Sequence, residues 1–294
     1  MDKWMTNLPE DVTYVPLFKL NIPGSHDSCS YCIDAKCDLS EDNEAFPILR
    51  LLGNFGKAIS SQWGRTQDAN LSEQLSAGIR YFDLRVMRRR SDGLFYFVHG
   101  QFAKTLSTEL LTIHSFLQDH PKEVVILDFN HLYCFFHPDD LSEFIAVIIS
   151  VFGSMLAPKS DRIPCLKDLW EKGHQVICLL HEISEYVEMW TPDKISSPWP
   201  NTVDLQKLMC FINSHPPVGD NQFHVTQGVL TPDKDYVVAN MNSNLSVLAA
   251  PASEQVIKWI EEKVTRNQRN IIIIDFAVKT YPKFAEVVIK LNLT

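Results

Sequence analysis

Several features that would place a chain in a broad class are missing from this sequence. No apolar run approaches the 18 residues that a transmembrane helix needs, since even the stretch from Phe144 to Phe152 is only core-sized. The first residues have neither the basic n-region nor the apolar h-region of a secretory signal. We therefore expect a cytoplasmic protein without a transmembrane segment.

Positive charge is scarce as well. The formal net charge is −9, and the basic residues form no long stripe, which argues against nucleic acid as a partner. Hydrophobic residues make up 45% of the chain and charged residues 21%, as is typical of a globular protein with a sizeable core. Because no linker, repeat or low-complexity tract interrupts residues 1–294, we expect one domain.

The seven cysteines do not form an evident pairing pattern. Three of them lie close together as Cys29-x-x-Cys32-x4-Cys37. A zinc site needs about four ligands, usually as two spaced pairs, and no second pair follows. We therefore prefer an ordinary loop with free thiols.

Strands alternate with helices over most of the length. Continuous apolar runs such as VVILDF and IIIIDF are typical of parallel strands buried on both faces. The pattern predicts strands over residues 18–22, 80–86, 95–99, 124–129, 175–181, 223–226 and 271–276. It predicts helices over residues 106–117, 141–152, 203–212, 253–264 and 283–291. This alternation indicates an α/β protein with a parallel sheet.

Ionisable side chains stand at the carboxyl ends of the predicted strands. They include His26, Arg85, His99, His181 and Asp275. A barrel brings such strand ends together around one mouth, where active sites of that fold lie. An open doubly wound sheet is disfavoured because no Gly-rich phosphate loop follows an early strand. We expect a distorted (β/α)8 TIM-like barrel, incompletely closed because only seven strands can be placed.

Of these residues, His26, Arg85 and His99 belong to a series of ordered motifs, and Asp275 lies in the later run Asn270-Ile-Ile-Ile-Ile-Asp-Phe276. In chain order the motifs are Ile22-Pro-Gly-Ser-His-Asp27, Trp63-Gly-Arg-Thr-Gln67, Gln74-Leu-Ser-Ala-Gly-Ile-Arg-Tyr-Phe-Asp-Leu-Arg85, Phe97-Val-His-Gly100 and Val124-Val-Ile-Leu-Asp128. Together they resemble the X domain of phosphatidylinositol-specific phospholipase C (PI-PLC), and above all the stand-alone X-domain proteins of animals. The resemblance implies a distorted barrel, in agreement with the strand-end argument.

The resemblance also implies an activity. It is cleavage of an inositol phospholipid to diacylglycerol and an inositol cyclic phosphate, during peripheral contact with a membrane surface. By resemblance His26 is the general base, oriented by Asp275, and His99 is the general acid, assisted by Asp27. Arg85 would contact the phosphate oxygens with its fixed fork of donors. Two histidines suit acid–base work near neutral pH.

Three further residues are candidates for substrate contacts. Asp83 lies two residues before Arg85 and therefore on the same strand face, where it positions Arg85 or His26, or forms a purely structural ion pair. Asn130 and His181 are candidate contacts to inositol hydroxyls. For Asp128, a buried hydrogen-bonded carboxylate is the preferred interpretation.

The family has two ways of supplying positive charge to the phosphate, a calcium ion or an arginine. Arg85 stands where the calcium type carries an acidic ligand, and Asn130 stands where it has a further carboxylate. A divalent ion ~4 Å from a guanidinium would meet roughly 8 kcal/mol of repulsion at an effective dielectric near 20. Too few oxygen ligands remain for calcium. We therefore expect no metal and no cofactor.

Two rival functions remain. A metal-dependent glycerophosphodiesterase on the same barrel would need a Glu-x-Asp pair, which residues 83–85 do not supply. A catalytically weak or silent module that binds inositol lipids stays open.

Three loops are expected to face the membrane, namely residues 46–55, 88–90 and 132–136, with Phe135 and Phe136 as lipid contacts. The alternative is that their apolar side chains pack under neighbouring loops and the arginines are solvated.

Overall fold

The computed structural model describes residues 1–42, 46–266 and 268–293, and ten strands in it form one sheet. The strands are β1 (Ile22–Ser25), β2 (Tyr81–Arg88), β3 (Phe95–Val98), β4 (Phe102–Thr105), β5 (Val125–Tyr133), β6 (Val176–Leu180), β7 (Met189–Trp190), β8 (Ile195–Ser196), β9 (Phe223–Gln227) and β10 (Ile271–Ile274).

Eight of these strands run parallel, in the spatial order β7-β6-β5-β2-β1-β10-β9-β8. Apart from β7 and β8, parallel strands that follow one another in the chain lie side by side, and β10 returns to pair with β1. No ladder joins β7 to β8 in the part of the chain that the structure describes. The molecule is thus a distorted (β/α)8 barrel with an open seam, which confirms the expected fold and its incomplete closure.

Three strands, β4, β7 and β8, were not predicted from the sequence, and the last two belong to the parallel barrel. β7 and β8 have two residues each, too few to show any periodicity. The predicted strand at residues 95–99 is not part of the parallel barrel. It forms β3, which runs antiparallel to β2 and continues into β4 as a hairpin outside the parallel order.

The helices mostly follow the predicted strands. They are α1 (Glu10–Thr13), α2 (Phe46–Leu51), α3 (Gly53–Gly64), α4 (Leu71–Ser76), α5 (Leu106–Asp119), α6 (Asp140–Phe152), α7 (Leu166–Lys172), α8 (Leu205–Ser214), α9 (Lys234–Ala239), α10 (Leu245–Lys263) and α11 (Phe284–Lys290). All five predicted helices form. The one predicted from residue 253 begins earlier, at Leu245, because Pro251 does not end it. Burial of the apolar face there outweighs the hydrogen bond that a proline loses.

The first strand lies later in the chain than predicted. Leu17–Lys19 form a 3₁₀ turn, and β1 contains Pro23 and Gly24. Ile22 donates its N–H to the β10 side, so the nitrogen of Pro23 faces β2, which pairs only from Gly24 onward. The proline therefore removes no ladder bond. A Cβ on Gly24 would lie 2.7 Å from the Tyr81 side chain, so only glycine fits between the neighbouring strands.

One continuous apolar cluster extends from Trp4 to Leu291 and fills the barrel and its helical layer. It includes all four isoleucines of β10, which are at most 2% exposed. Among the described residues, no helix combines the length and apolarity that spanning a bilayer would take.

Candidate active site

Strand β1 leads directly into the two residues at the centre of the site. His26 and Asp27 follow it as the chain leaves the sheet. Asp27 has a φ of 40°, in the left-handed region that few non-glycine residues adopt. In this conformation its backbone N–H donates to Asp83 Oδ2 on β2 at 3.1 Å. The turn buries Asp27 almost completely at the barrel mouth.

Two buried polar side chains hold the backbone behind His26. Gln67 Nε2 donates to the carbonyl oxygens of His26 and Ile274, at 2.8 and 3.1 Å. Thr66 Oγ1 donates to the His26 carbonyl at 2.9 Å, and the Thr66 carbonyl accepts from the N–H of Phe276 at 2.7 Å. These bonds tie β1 to β10 at the level of the site. Sequence reasoning gave neither Thr66 nor Gln67 a role, and the only signal was their place in an ordered motif.

The His26 ring is held through Nδ1, which lies 2.8 Å from Asp275 Oδ1. A carboxylate only accepts, so Nδ1 carries the proton in this pair. Nε2 faces the mouth, 3.3 Å from Asp27 Oδ2 and 3.4 Å from Arg85 Nη2. The structure therefore brings together the predicted base and the aspartate predicted to orient it, although they are 249 positions apart in the chain.

His99 reaches the site at the end of an antiparallel strand, whereas we expected it to end a parallel strand of the barrel. β2 continues past Arg85, and β3 returns antiparallel beside it, so that His99 ends at the same level. Its Nδ1 lies 2.7 Å from the Gly64 carbonyl oxygen, and its Nε2 lies 3.1 Å from Asp27 Oδ2. Because the Gly64 carbonyl only accepts, Nδ1 carries a proton, and Nε2 is the nitrogen that faces Asp27.

Asp27 contacts all three cationic side chains of the site. Its Oδ2 lies near Nε2 of both histidines, and its Oδ1 lies 2.6 Å from Arg85 Nε. The ring centroids of His26 and His99 are 6.3 Å apart. Arg85 Nη2 also lies 3.8 Å from Asp83 Oδ2. One buried carboxylate thus organises both histidines and the arginine, a wider set of contacts than the resemblance implied.

These contacts change how the site holds protons. Burial alone would lower the pKa of His26, but the charges of Asp27, Asp275 and Asp83 outweigh burial and raise that pKa to about 9. Burial would raise the pKa of Asp27, yet Arg85 and the two histidines hold it below the usual range of a carboxyl. His26 is therefore protonated at neutral pH in the free protein, and a base at this position must first lose that proton.

Asn130 and His181 each bind a carboxylate beside the mouth. The pairing of β2 with β5 shifts after Leu84, which leaves Asn130 as an extra residue, and its Nδ2 donates to Asp83 Oδ1 at 2.5 Å. His181 Nε2 lies 2.9 Å from Asp128 Oδ1, and this hydrogen bond raises the pKa of His181. Asp128 is buried and hydrogen-bonded, as expected.

Arg85 lies beside the three residues that could offer ligands to a metal. His26, Asp27 and Asp83 offer three ligand atoms within 4.8 Å of one another. The Arg85 guanidinium lies among these atoms, with contacts of 2.6 Å to Asp27, 3.4 Å to His26 and 3.8 Å to Asp83. Calcium needs about six to eight oxygen ligands and no neighbouring cation. This donor set therefore does not fit calcium.

Two of the loops predicted to face a membrane carry exposed apolar side chains. On α2 and α3, Leu51 is 88% exposed, and Ile48, Leu52 and Phe55 are also exposed. Phe136 is 67% exposed.

Two parts of that prediction need correction. Phe135 is only partly buried, but it packs against Phe95 and Phe144, with ring centroids 5.4 and 5.6 Å away, so much of its ring is turned towards the core. Residues 88–90 are three arginines, and each is paired with at least one carboxylate, which leaves less free positive charge for a lipid head group.

Comparison with known proteins adds relatives and structural neighbours. No family model matches the chain. Mouse PI-PLC X domain-containing protein 2 is 36% identical over 303 residues, covering 98% of this chain and 87% of that protein. Human PI-PLC X domain-containing protein 3 is 35% identical over 302 residues, covering 98% of this chain and 92% of that protein.

Solved structures agree with the fold. The PI-PLC of Listeria monocytogenes superposes with a TM-score of 0.64 at 22% identity, over 99% of this chain and 98% of that one. A pentafluoro-Phe variant of the Staphylococcus aureus PI-PLC gives a TM-score of 0.69 at 16% identity, over 98% and 96% of the two chains. At these identities the likeness concerns the fold alone.

Proposed function

Because the chain belongs to the family of animal PI-PLC X domain-containing proteins, we propose that it is a phosphoric diester hydrolase of the PI-PLC type. It cleaves an inositol phospholipid to diacylglycerol and inositol 1,2-cyclic phosphate. The observation that carries this proposal is the shared carboxylate of Asp27, within 3.3 Å of Nε2 of both His26 and His99 and 2.6 Å from Arg85 Nε.

The geometry suits cleavage through an internal hydroxyl group. Such a reaction needs a base at the attacking oxygen, an acid at the leaving oxygen and positive charge at the phosphate. His26 Nε2 takes the proton of the inositol 2-hydroxyl while Asp275 holds the ring. His99 Nε2 gives a proton to the diacylglycerol oxygen. The ring centroids lie 6.3 Å apart, a spacing that supports the binding of a phosphate between them.

Arg85 supplies the positive charge that the phosphate needs. Its guanidinium offers several N–H donors in a planar fork, which matches phosphate oxygens. In the free protein these donors face Asp27 and Asp83, so the phosphate competes with two carboxylates for them. We retain Asp83, Asn130 and His181 as proposed substrate contacts, and no metal takes part in this scheme.

The substrate lies in a membrane, and the exposed apolar side chains of α2 and α3 offer the surface that would meet it. Leu51 and Phe55 are the most exposed of these residues, at 88% and 59%. We propose that a cytoplasmic protein, acting as one barrel domain over residues 1–294, docks transiently on a phosphatidylinositol-containing membrane through this surface and Phe136.

The raised pKa of His26 favours a second candidate function. If that proton is held too firmly, the protein binds inositol lipid but cleaves it weakly or not at all. Phosphatidylinositol in mixed micelles with EDTA, followed by 31P NMR for the cyclic phosphate, separates the two functions. Product formation supports the hydrolase. Saturable binding to phosphatidylinositol vesicles without product supports the binding module.

Substitution of the two histidines tests their roles. His26→Ala and His99→Ala should each lower the rate by about 10²–10⁴-fold without unfolding the protein. His215→Ala, an exposed histidine at the end of α8, serves as the control. More than half of the wild-type rate in either folded site variant would refute its assignment.

A further inference from the structure

The loop before α2 is bonded to the turn that carries His99. Leu39 pairs with Gln101 as an isolated antiparallel bridge, and the N–H of Ser40 donates to the Gly100 carbonyl at 3.1 Å. The buried Gln101 returns this contact, since its Nε2 donates to the carbonyl oxygens of Asp34 and Cys37 at 3.0 and 2.9 Å. The turn after β3 therefore depends on this loop for its position.

Asp42 contacts the backbone one residue after the histidine. Its Oδ2 accepts the backbone N–H of Gly100 at 2.8 Å, and its Oδ1 accepts from Ser40 Oγ at 2.5 Å. The serine hydroxyl orients the carboxylate, so both oxygens have a donor. Gly100 has a φ of 73°, a conformation that glycine adopts at no steric cost, and it follows His99 directly. The carboxylate thus fixes the backbone one residue from the imidazole.

The His99 ring is held at a second point by α3. Its Nδ1 donates to the Gly64 carbonyl at 2.7 Å, and a Cβ at Gly64 would lie 2.5 Å from the His99 carbonyl oxygen. One anchor fixes the ring and the other fixes the backbone. With both in place, Nε2 faces Asp27 and the mouth.

We propose that Asp42 is a positioning residue for His99, setting the geometry from which Nε2 delivers its proton to the leaving oxygen. This inference rests on the proposed hydrolase function. Proton transfer depends steeply on geometry, and misplacement by about 1 Å can cost roughly 10²-fold in rate. Among the described contacts Asp42 has none with the His99 side chain and reaches it through the Gly100 backbone. Its charge also adds to those that raise the pKa of Arg85, and Asp42→Asn removes that charge while keeping the backbone contact.

The leaving group of the substrate provides a sharp test. Two water-soluble inositol phosphodiesters are compared, one with a butanol and one with a 4-nitrophenol leaving group. The alkoxide needs a proton as it leaves, whereas the 4-nitrophenolate does not. Asp42→Ala should lower kcat for the butyl ester by roughly 10- to 100-fold, with little change in KM. It should leave kcat for the nitrophenyl ester nearly unchanged, and His99→Ala should show the same split more strongly.

Three further variants separate positioning from charge and from folding. Asp42→Asn removes the charge but keeps an oxygen that can accept from Gly100, so it should restore most of the butyl-ester rate. Glu41→Gln removes a neighbouring negative charge whose only described partner is Arg90, at 3.5 Å, and should change neither rate. If Asp42→Ala does not fold, Ser40→Ala, which removes only the orienting hydroxyl, should show a smaller split in the same direction.

An NMR measurement keeps this test separate from the proposed function. The 15N shifts of the His99 ring report its hydrogen bonds whether or not the protein cleaves either ester. They should change in Asp42→Ala and return towards the wild-type values in Asp42→Asn. Equal loss on both esters, or unchanged His99 shifts in Asp42→Ala, overturns the positioning role. A wild-type protein that cleaves neither ester while the His99 shifts respond to Asp42 overturns the hydrolase function alone.

Discussion

Replacing Asp83 with asparagine should lower the pKa of His26. The pKa is raised to about 9 because three carboxylates surround a buried ring, and Asp83 contributes less than Asp27 and Asp275. Its Oδ2 lies 3.8 Å from His26 Nε2. Asparagine keeps the shape and removes the charge, but it keeps only one of the two oxygens that accept from the Asp27 N–H and from Asn130 Nδ2. The variant therefore combines the loss of charge with the loss of one of these hydrogen bonds.

The size of the effect follows from the geometry. Two unit charges about 4 Å apart interact by about 4 kcal/mol at an effective dielectric near 20. Since one pKa unit corresponds to about 1.4 kcal/mol, the ceiling is about 3 units. Arg85 Nη2 lies at the same 3.8 Å from this carboxylate oxygen and offsets much of its field at His26. We therefore expect the pKa of His26 to fall by about 1 unit.

The pKa can be measured directly by NMR titration of the His26 ring in the free protein. Asp128→Asn is a matched control, because Asp128 binds His181 and makes no described contact with His26. It should lower the pKa of His181 and leave that of His26 in place. The pH profile of kcat/KM, which reports the free enzyme, should show the same displacement.

Two results would refute this reasoning. In the wild-type protein, a His26 that titrates at or below its ordinary value of 6.5 would mean that burial outweighs the three carboxylates. In the variant, an unchanged or higher pKa would mean that Asp83 acts mainly on Arg85. In the wild-type protein, the limb of the kcat/KM profile that reports loss of the His26 proton should lie near pH 9.

Three other predictions follow from the same structure. Arg85→Lys should lower activity strongly, because an ammonium cannot reproduce the planar fork, and chelators should leave the wild-type rate unchanged; restoration by added calcium after chelation would contradict this. Leu51→Ser together with Phe55→Ser should weaken liposome binding but spare hydrolysis of a soluble ester. Leu111 is 55% exposed on α5, and Leu111→Ser should change neither measurement. Equal losses of activity on the lipid and on the soluble ester would indicate a folding role for Leu51 and Phe55. The pKa of His26 is raised on folding, so its contribution to stability is complete below pH 6.5 and disappears as the pH rises through about 9. The free energy of unfolding should drop by about 3.5 kcal/mol over that range, and a His26→Asn variant that keeps the same slope would exclude this cause.

Much of the fold could be predicted because it rests on local patterns. Apolar runs of four to six residues and helical periodicity identify strands such as β10 and helices such as α5 from the chain alone. The seam strands β7 and β8 could not be found this way, because two residues carry no period. The start of β1 was also misplaced, since the cost of a proline in a strand depends on which neighbour its nitrogen faces.

The membership of the site was also readable from sequence, but its arrangement was not. The ordered motifs contain His26, Asp27, Arg85 and His99, and the family resemblance that they carry adds Asp275 as a candidate. Their mutual distances depend on strands that meet only when the sheet curls, as Ile274 and Ser25 do when β10 returns to β1. The antiparallel return of β3, which delivers His99 to the mouth, has no signature in the run FYFV.

The sequence by itself determined the alternation of strands and helices, the polar strand ends and the residue types available for acid–base chemistry, because each of these is a property of neighbours along the chain. Only the tertiary structure decided that Asp27 contacts both histidines and Arg85, that the Arg85 guanidinium lies beside Asp83 as well, and that Asp42 bonds to the turn at His99. Contacts and pKa values depend on distance and burial in space. Groups 249 positions apart, such as His26 and Asp275, interact strongly only after folding has removed the water between them.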